Sequence, residues 1–547
     1  MRRFVMVFVI ILLACQAVTP QSLAPSPPIL SDPPPTLLQT ATPTPTQLPL
    51  PSLTVAPTPK PLRTYSVRFH PDGELFVSDQ VSLEVISPPD VNPENQEVHV
   101  ELASPIVKDL GSASFQPYGI GGRFQATLQW VWDTTELQPG TYTLNFSIQP
   151  DGPTWTESVS LHPESQLPPP QPQAHWESVE TDCCELFYIT GTDAGRNIAE
   201  LEQIVDDEAA DAIRRMRVAF GKTIPITILP RVLGHGGFTT DEIYVSYLER
   251  NYAGNDFPQV LHHEMIHILD SRLGGDLRPS IFQEGLAVFL SGGHYKPEPI
   301  FARAGTLLDL GWYIPLPALA NDFYGSQHEI GYIEAGALTQ YLVTTYGWQA
   351  FSDFYRDTHP AASGKQSDAI DDALQAHFGI TFSQLEGRFL AALRRQHLNP
   401  DLREDVRLTV AFYNTVRRYQ QLLDPSAYFL TAWLPDGKQM RQRGIVADYL
   451  RHPAAPENIR LENMLVEVDG FLTSGKYPEA EKTISTVNVA LNQADGLVLR
   501  LAESPPSIFN PRTSFALTFN ILQSKGLPGS YPTGPHPGKN GKKSHHR

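Results

Sequence analysis

The chain has 547 residues, a length that favours about three domains over a single one. Its formal net charge of −18 at pH 7 argues against a nucleic-acid-binding surface, because phosphate binding requires clustered Lys and Arg. The 50 prolines are concentrated in residues 16–62, 163–173 and 503–537, so these stretches are predicted to be linkers or tails.

The first fifteen residues carry the features of an export signal. Two arginines precede an apolar run over residues 4–14, which is too short to span a bilayer comfortably. The run ends in Leu-Leu-Ala-Cys at residues 12–15, which resembles the lipobox of bacterial lipoproteins. The resemblance implies that residues 1–15 are a signal peptide and that Cys15 is lipidated, so the protein is extracytoplasmic and anchored to the cell membrane. An ordinary cleaved signal peptide or a short membrane anchor is the alternative.

The next two segments differ sharply in composition. Residues 16–62 are rich in Pro and Thr and are predicted to form an extended linker. Residues 64–163 instead contain short runs of alternating polarity separated by turn residues, such as 81–85 and 124–130, and this pattern predicts an all-β sandwich. The turn and strand at residues 139–146 are similar to those of immunoglobulin-like modules, so we expect an immunoglobulin-like spacer or binding module.

Residues 175–398 have a pattern typical of an α+β domain, in which most helices follow the strands. A long amphipathic helix is expected over residues 194–220. Residues 404–500 are predicted to be mainly helical, and the Pro- and Gly-rich tail at 503–547 to be disordered. The fold class is therefore multidomain, with an all-β sandwich, an α+β domain and a mainly helical C-terminal region. Strands of the α+β domain are predicted at residues 186–189, 224–229 and 238–245.

Two adjacent cysteines, Cys183 and Cys184, lie at the start of the α+β domain. Because they are neighbours in sequence, they cannot join distant segments of one chain. Their spacing is also wrong for a zinc pair, which normally has intervening residues. Two buried thiols are the preferred interpretation, and a vicinal disulfide is the alternative.

The decisive motif is His-Glu-x-x-His, formed by His263, Glu264 and His267. Histidines at positions i and i+4 lie on one face of a helix, so both imidazoles can reach one metal ion. The helical context is suitable, because Asp256 can cap the start of the helix and Gly274 can end it. The motif alone is only moderately specific.

A second segment strengthens the case for a metal. Pro279 and Ser280 begin a new helix that carries Glu284, and a short loop between the two helices can return this glutamate to the histidine pair. The set of two His and one Glu leaves a coordination position open for water. An exposed helix charge is the alternative for Glu284, but the apolar residues around it favour the metal-ligand interpretation.

Together the two motifs resemble those of the gluzincin metallopeptidases, specifically the peptidase-MA-like group related to the membrane alanyl aminopeptidases. The resemblance is strong over residues 260–290 and loose over the rest of 176–398. It implies a zincin-like catalytic domain, one Zn²⁺ held by His263, His267 and Glu284, and hydrolysis of a protein or peptide substrate. Zinc would activate a bound water, and Glu264 would take the proton of that water as the general base.

Further positions of the family pattern are partly present. Tyr332, with the Tyr-Leu pair at residues 341–342, resembles the helix whose tyrosine stabilises the tetrahedral intermediate, although a packing tyrosine is an equal alternative. The segment 236–241 lacks the glutamate with which the related aminopeptidases bind the substrate's amino terminus, so an endopeptidase is favoured over an aminopeptidase. Val288 stands where thermolysin-like members have an aspartate supporting a ligand histidine. Asp270 is either its replacement or a solvated helix charge.

Three other histidines, His262, His328 and His235, are expected to have no direct role. Two rival functions remain open. One is a non-catalytic surface lipoprotein that binds a protein or cell-wall partner through a relic peptidase fold. The other is a zinc hydrolase that acts on a bond other than a peptide bond.

Overall fold

The structure is a computed structural model that describes residues 65–502 apart from 89–90, 119–122, 233–235, 425–426 and 428–436. The predicted signal peptide with Cys15, the linker 16–62, His235 and the tail 503–547 lie outside the described residues.

The N-terminal region forms two β-sheets with a common apolar core. One sheet has the strand order β1-β3-β7-β6 and the other β2-β9-β8-β4-β5, and all their pairings are antiparallel except that of β2 with β9. Trp132 and Tyr142 pack edge to face between the sheets, with ring centroids 5.7 Å apart. The strands are β1 Ser66–His70, β2 Leu75–Phe76, β3 Gln80–Ile86, β4 Glu97–Ser104, β5 Lys108–Ser114, β6 Gln116–Tyr118, β7 Arg123–Asp133, β8 Gly140–Gln149 and β9 Thr154–His162.

A third sheet begins the next region, with the strand order β10-β11-β12-β14-β13. Its three central strands are parallel and its two edge strands are antiparallel to their neighbours. The single strand predicted over residues 238–245 is wrong, because a turn closed by Thr240 N–H and Glu242 C=O divides it into a hairpin. The edge strand β10 was not predicted. The strands are β10 Trp176–Glu180, β11 Cys184–Ile189, β12 Ile224–Leu229, β13 Gly237–Thr239 and β14 Ile243–Ser246.

Helices make up most of the described chain that follows. The predicted helix over 194–220 is interrupted at Asn197 and ends earlier, because Arg217 adopts a left-handed conformation with φ of 58°. Short 3₁₀ helices lie at Glu164–Gln166 and Gln171–Gln173. The α-helices are α1 Asp193–Arg196, α2 Ile198–Met216, α3 Phe257–Leu273, α4 Ser280–Ser291, α5 Ile300–Asp309, α6 Leu316–Asn321, α7 His328–Tyr346, α8 Trp348–Arg356, α9 Gln366–Phe378, α10 Phe382–Leu393, α11 Pro400–Leu423, α12 Gly437–Gln442, α13 Ala447–Leu450, α14 Pro456–Thr473 and α15 Tyr477–Ala502.

Helix α3 has the ends that its capping residues predict. The Asp256 carboxylate accepts a hydrogen bond from the backbone N–H of Gln259, and Pro258 occupies the first turn, where no N–H is required. Gly274 follows the last residue with φ of 76°, a conformation that favours glycine.

The expectation of two buried thiols at the start of this region is wrong, because Cys183 and Cys184 form a disulfide.

Buried ion pairs connect the three regions that the sequence predicts as separate domains, and all the described residues belong to one compact unit. Arg451, beyond α13, binds Asp79 of the β-sandwich through two hydrogen bonds of 2.7 and 2.6 Å. Arg231, beyond β12, contacts Asp72 at 3.0 Å and Asp424 at 2.7 Å. Among the described residues, no helix has both the length and the apolar character needed to cross a membrane.

Candidate metal centre

The structure brings the three predicted ligand side chains together. His263 and His267 lie one turn apart on α3, and their Nε2 atoms are 3.1 Å from each other. Glu284, from α4, places Oε2 3.3 Å from both nitrogens. All three side chains are almost completely shielded from solvent. Two ring nitrogens and one carboxylate oxygen therefore form a triangle at the junction of the two helices.

The dimensions of this triangle fit a zinc ion. With Zn–N and Zn–O bonds of about 2.0–2.1 Å, neighbouring ligands of a tetrahedral site lie about 3.3 Å apart. The three separations in the structure, 3.1, 3.3 and 3.3 Å, are close to that value. Two imidazole nitrogens at 3.1 Å also repel through their lone pairs unless a proton or a cation lies between them. Imidazole and carboxylate are ordinary zinc ligands, so the residues present fit the metal.

The electrostatics of the triangle favour a positive charge at its centre. Burial opposes a charge on His267, but the carboxylates of Glu284, Glu264 and Asp270 outweigh it and raise the pKa of His267 to about 9. Burial likewise acts to raise the pKa of Glu284, but the charge of His267 and hydrogen bonds from both histidines lower it. The site therefore holds a proton when it holds no metal, and metal binding would displace that proton.

Glu264 follows the first ligand histidine and is held by strand β13. The Thr239 hydroxyl donates a hydrogen bond of 2.6 Å to Oε2 of Glu264. Gly237 lies against the same carboxylate, because a Cβ atom at this position would be 2.8 Å from Oε1. The hydrogen bond fixes the orientation of the Glu264 carboxylate, and the glycine provides the space that it occupies.

Glycines allow α4 and α7 to approach closely, and this contact positions Glu284. A Cβ atom on Gly285 would collide with the Ala335 carbonyl and lie 2.6 Å from the Thr339 hydroxyl. A Cβ atom on Gly336 would lie 2.5 Å from a methyl group of Val288. Val288 therefore serves in packing α4 against α7.

Tyr332 lies near the triangle, within a group of aromatic rings. Its ring centroid is 6.2 Å from that of His263 and 4.2 Å from that of His328. His294 stacks on it at 4.3 Å with an interplanar angle of 18°. Burial and the nearby His263 lower the pKa of His294 to about 3, so this imidazole is neutral at pH 7. His328 is thus closer to the site than the sequence indicated.

His294 was missed by sequence reasoning, and a buried charge network holds it in place. His294 Nδ1 lies 3.0 Å from Glu329 Oε2. The buried Arg303 guanidinium contacts Glu329 at 3.5 Å, Glu298 at 2.6 Å and also Asp405. The Gly-Gly pair before His294 signals the end of α4, but nothing in the local sequence indicates that the next residue returns towards the triangle.

Tyr324 was also missed, although it contacts a predicted ligand directly. It lies between α6 and α7, and its hydroxyl is 2.7 Å from Oε1 of Glu284. Phe323 and Tyr324 pack edge to face with ring centroids 5.3 Å apart. The sequence points to Tyr332 only through the resemblance of its segment to a known motif, and Tyr324 lies outside that motif.

Asp270 and His262, on the same helix as the histidine ligands, both point to partners outside the triangle. Asp270 is fully buried, so it is not a solvated helix charge. Its carboxylate accepts hydrogen bonds from Tyr355 at 3.0 Å and Arg278 at 3.3 Å, and none of its described hydrogen bonds is to His267. His262 faces α2, where its Nδ1 is 2.7 Å from Glu208. It does not join the triangle.

Comparisons with known proteins give little guidance. No protein-family model matches the chain, and no curated protein matches it. One similar solved structure is that of an aminopeptidase N family protein from Idiomarina loihiensis. The two are 12% identical, with 62% of this chain and 78% of that chain covered, at a TM-score of 0.28. A TM-score this low carries no argument about function, which must be argued from the geometry of the site.

Proposed function

We propose that this protein is a zinc-dependent metallopeptidase that hydrolyses peptide bonds. One observation carries the proposal: two imidazole nitrogens and a carboxylate oxygen lie within 3.3 Å of one another, beside the carboxylate of Glu264. His263, His267 and Glu284 supply three ligands, which leaves a fourth position for water. Sites with three protein ligands and one open position are typical of catalytic zinc, whereas structural zinc is usually bound by four protein ligands.

The protein's own residues account for the proton transfers. Zinc in this site would lower the pKa of a bound water and polarise the scissile carbonyl. Thr239 donates to Oε2 of Glu264, so we assign Oε1 as the atom that accepts the proton of the attacking water. Glu264 then passes this proton to the amine nitrogen of the leaving product. The Thr239 hydrogen bond keeps Oε1 directed consistently through both transfers.

Tyr332 is the proposed donor to the oxyanion that forms on the substrate carbonyl. A neutral phenol suits this role because it can donate a hydrogen bond without adding charge to the resting site. The near-parallel stacking of the neutral His294 ring restricts the orientation of the Tyr332 ring. Both features support the assignment, which places Tyr332 in contact with substrate during catalysis.

The substrate is proposed to be an extended peptide that pairs with strand β13. This strand lies at the edge of its sheet, next to Glu264, and an edge strand offers backbone hydrogen bonds to an added peptide. The glutamate that follows β13 in sequence, Glu242, is bound by Arg441 at 2.5 and 3.2 Å and also contacts Thr227. Its charge is therefore neutralised within the fold, which favours internal cleavage over recognition of a substrate's amino terminus.

The proposed location is the outer face of a bacterial cell membrane. This part of the proposal depends on the sequence of residues 1–15, in which Cys15 would carry the lipid anchor. The partners that follow are a protein or peptide substrate and the membrane itself.

The test uses the purified full-length chain, its zinc content and a peptide library. Wild type should contain one zinc ion per chain and cleave peptides internally. Glu264→Gln should retain the zinc and lose about 10²–10⁴-fold in kcat, because it removes the general base without removing a ligand. Glu249→Gln is the matched control, since Glu249 is exposed, and it should behave like wild type.

Three outcomes would contradict the proposal in whole or in part. Wild type that binds no zinc would remove its basis. Wild type that binds zinc but cleaves no peptide would favour the non-catalytic lipoprotein or a hydrolase acting on a different bond. Equal cleavage by wild type and Glu264→Gln would show that Glu264 is not the base.

A further inference from the structure

The two oxygens of the Glu284 carboxylate have different partners. Oε2 faces the ligand histidines, at 3.3 Å from each Nε2 atom. Oε1 lies 2.7 Å from the Tyr324 hydroxyl. The phenolic O–H is the donor in this hydrogen bond because an ionised carboxylate only accepts. The carboxylate is therefore shared between a metal-facing oxygen and a tyrosine-facing oxygen.

We propose that Tyr324 is a positioning residue that restricts Glu284 to binding the metal through Oε2 alone. This inference rests on the proposed zinc site. A carboxylate can bind a metal through one oxygen or through both, and the second mode occupies an additional coordination position. A hydrogen bond to Oε1 engages one of its lone pairs and turns it away from the metal. Tyr324 thus keeps open the position that the attacking water requires.

The surroundings of Tyr324 make its position well defined. The residue lies in the short connection between α6 and α7, where Ser326 donates its backbone N–H to the Phe323 carbonyl at 3.2 Å. Phe323 is buried, and its ring contacts both Tyr324 and Tyr332. The Gln327 side chain caps the start of α7. The connection is therefore fixed at both ends, so its tyrosine can hold a metal ligand in one orientation.

Tyr324 and Tyr332 are thereby assigned different tasks. Tyr324 acts on the metal through Glu284 and is engaged before substrate arrives. Tyr332 has its ring 6.2 Å from that of His263 and acts on the substrate. Removing the Tyr324 hydroxyl should consequently change metal binding, whereas removing the Tyr332 hydroxyl should change kcat.

The experiment compares Tyr324→Phe with Tyr332→Phe in the full-length protein, loaded with Zn²⁺ or with Co²⁺. Tyr324→Phe should weaken zinc binding by about 10–100-fold in competition with a chelator, as expected when an outer hydrogen bond to a ligand is lost. Its cobalt form should show weaker visible absorption, because five-coordinate Co²⁺ absorbs less strongly than tetrahedral Co²⁺. Tyr332→Phe should lower kcat but keep the zinc affinity and the cobalt spectrum of wild type.

The outcomes separate this inference from the proposed function. If Tyr324→Phe has the wild-type zinc affinity and cobalt spectrum, the positioning role is wrong while the zinc site stands. If Tyr332→Phe changes the metal spectrum as strongly as Tyr324→Phe does, the assignment of separate tasks is wrong. If wild type binds neither metal, the proposed function fails and this inference fails with it.

Discussion

Gly237 offers a direct test of the position of Glu264, because adding one methyl group there must displace the carboxylate. The backbone of Gly237 is not in the left-handed region, so alanine is limited by its neighbours rather than by its own conformation. Its Cβ atom would lie 2.8 Å from Oε1 of Glu264 and 2.7 Å from a methyl group of Val260. Ordinary contacts to a Cβ atom begin at 3.4 Å.

The size of the effect follows from these distances. The Glu264 carboxylate must retreat by about 0.6 Å, and a displacement of about 1 Å at a catalytic group costs about 10²-fold in rate. Gly237→Ala should therefore lower kcat by about 10- to 100-fold. The zinc content should be unchanged, since the three ligand side chains are not among the nearest atoms to the new methyl group. Overpacking should reduce the free energy of unfolding by about 1–3 kcal/mol.

The assay measures kcat on a peptide that wild type cleaves, together with zinc content and urea unfolding. Gly470→Ala is the control, because Gly470 lies inside α14 with no atom within 4 Å of its Cβ position. The control should be more stable than wild type by up to about 1 kcal/mol and equally active. A folded, zinc-loaded Gly237→Ala protein with wild-type kcat would refute the argument that Glu264 must occupy its present position.

Two further predictions concern the metal and pH. Removing zinc with a chelator should abolish cleavage and lower the stability by about 4 kcal/mol relative to protein with zinc at about 1,000 times its Kd, as measured by urea unfolding, and added zinc should restore both. Burial raises the pKa of Asp448 from 3.8 to about 6 against the opposing effects of His70 and Trp130, so the folded protein retains a proton that the unfolded chain releases. The stability from this group is complete below pH 3.8 and is lost as the pH rises through about 6, which amounts to about 3 kcal/mol. The stability of Asp448→Asn relative to wild type should therefore rise by about that amount as the pH increases from about 4 to about 8. A stability difference that does not depend on pH would contradict the raised pKa of Asp448.

The metal triangle is the part of the structure that the sequence predicts best. Two histidines four residues apart lie on one helix face whatever the rest of the fold, and Asp256 and Gly274 mark the ends of that helix locally. The position of Glu284 is harder to predict, because its approach to the two histidines depends on how α4 packs against α3. It could still be predicted, since the connection between the helices is short and the residues around the glutamate are apolar.

Other site residues could not be predicted, because long-range packing brings them together. Tyr324 is 40 residues from Glu284, and neither local pattern indicates the other. His294 reaches its place through the loop after α4. The hairpin at residues 237–246 was mistaken for one strand, because its turn at residues 240–242 contains no Gly or Pro to signal it. For Asp270 the sequence leaves two alternatives, support of a ligand histidine or a solvated helix charge, and only the positions of Tyr355 and Arg278 show that it is buried.

Arg451 and Asp79 are paired although they are 372 positions apart in the sequence. This pairing affects how the protein responds to proteolysis. If proteolysis removed the sandwich, Arg451 would lose Asp79 and the ring of Phe76, and Arg231 would lose Asp72. The surface that the sandwich now covers would be exposed to water, so its contribution to the stability of the remaining chain would be lost. A cut between the sandwich and the region of the candidate metal centre should therefore destabilise the rest of the chain rather than release an independently stable fragment.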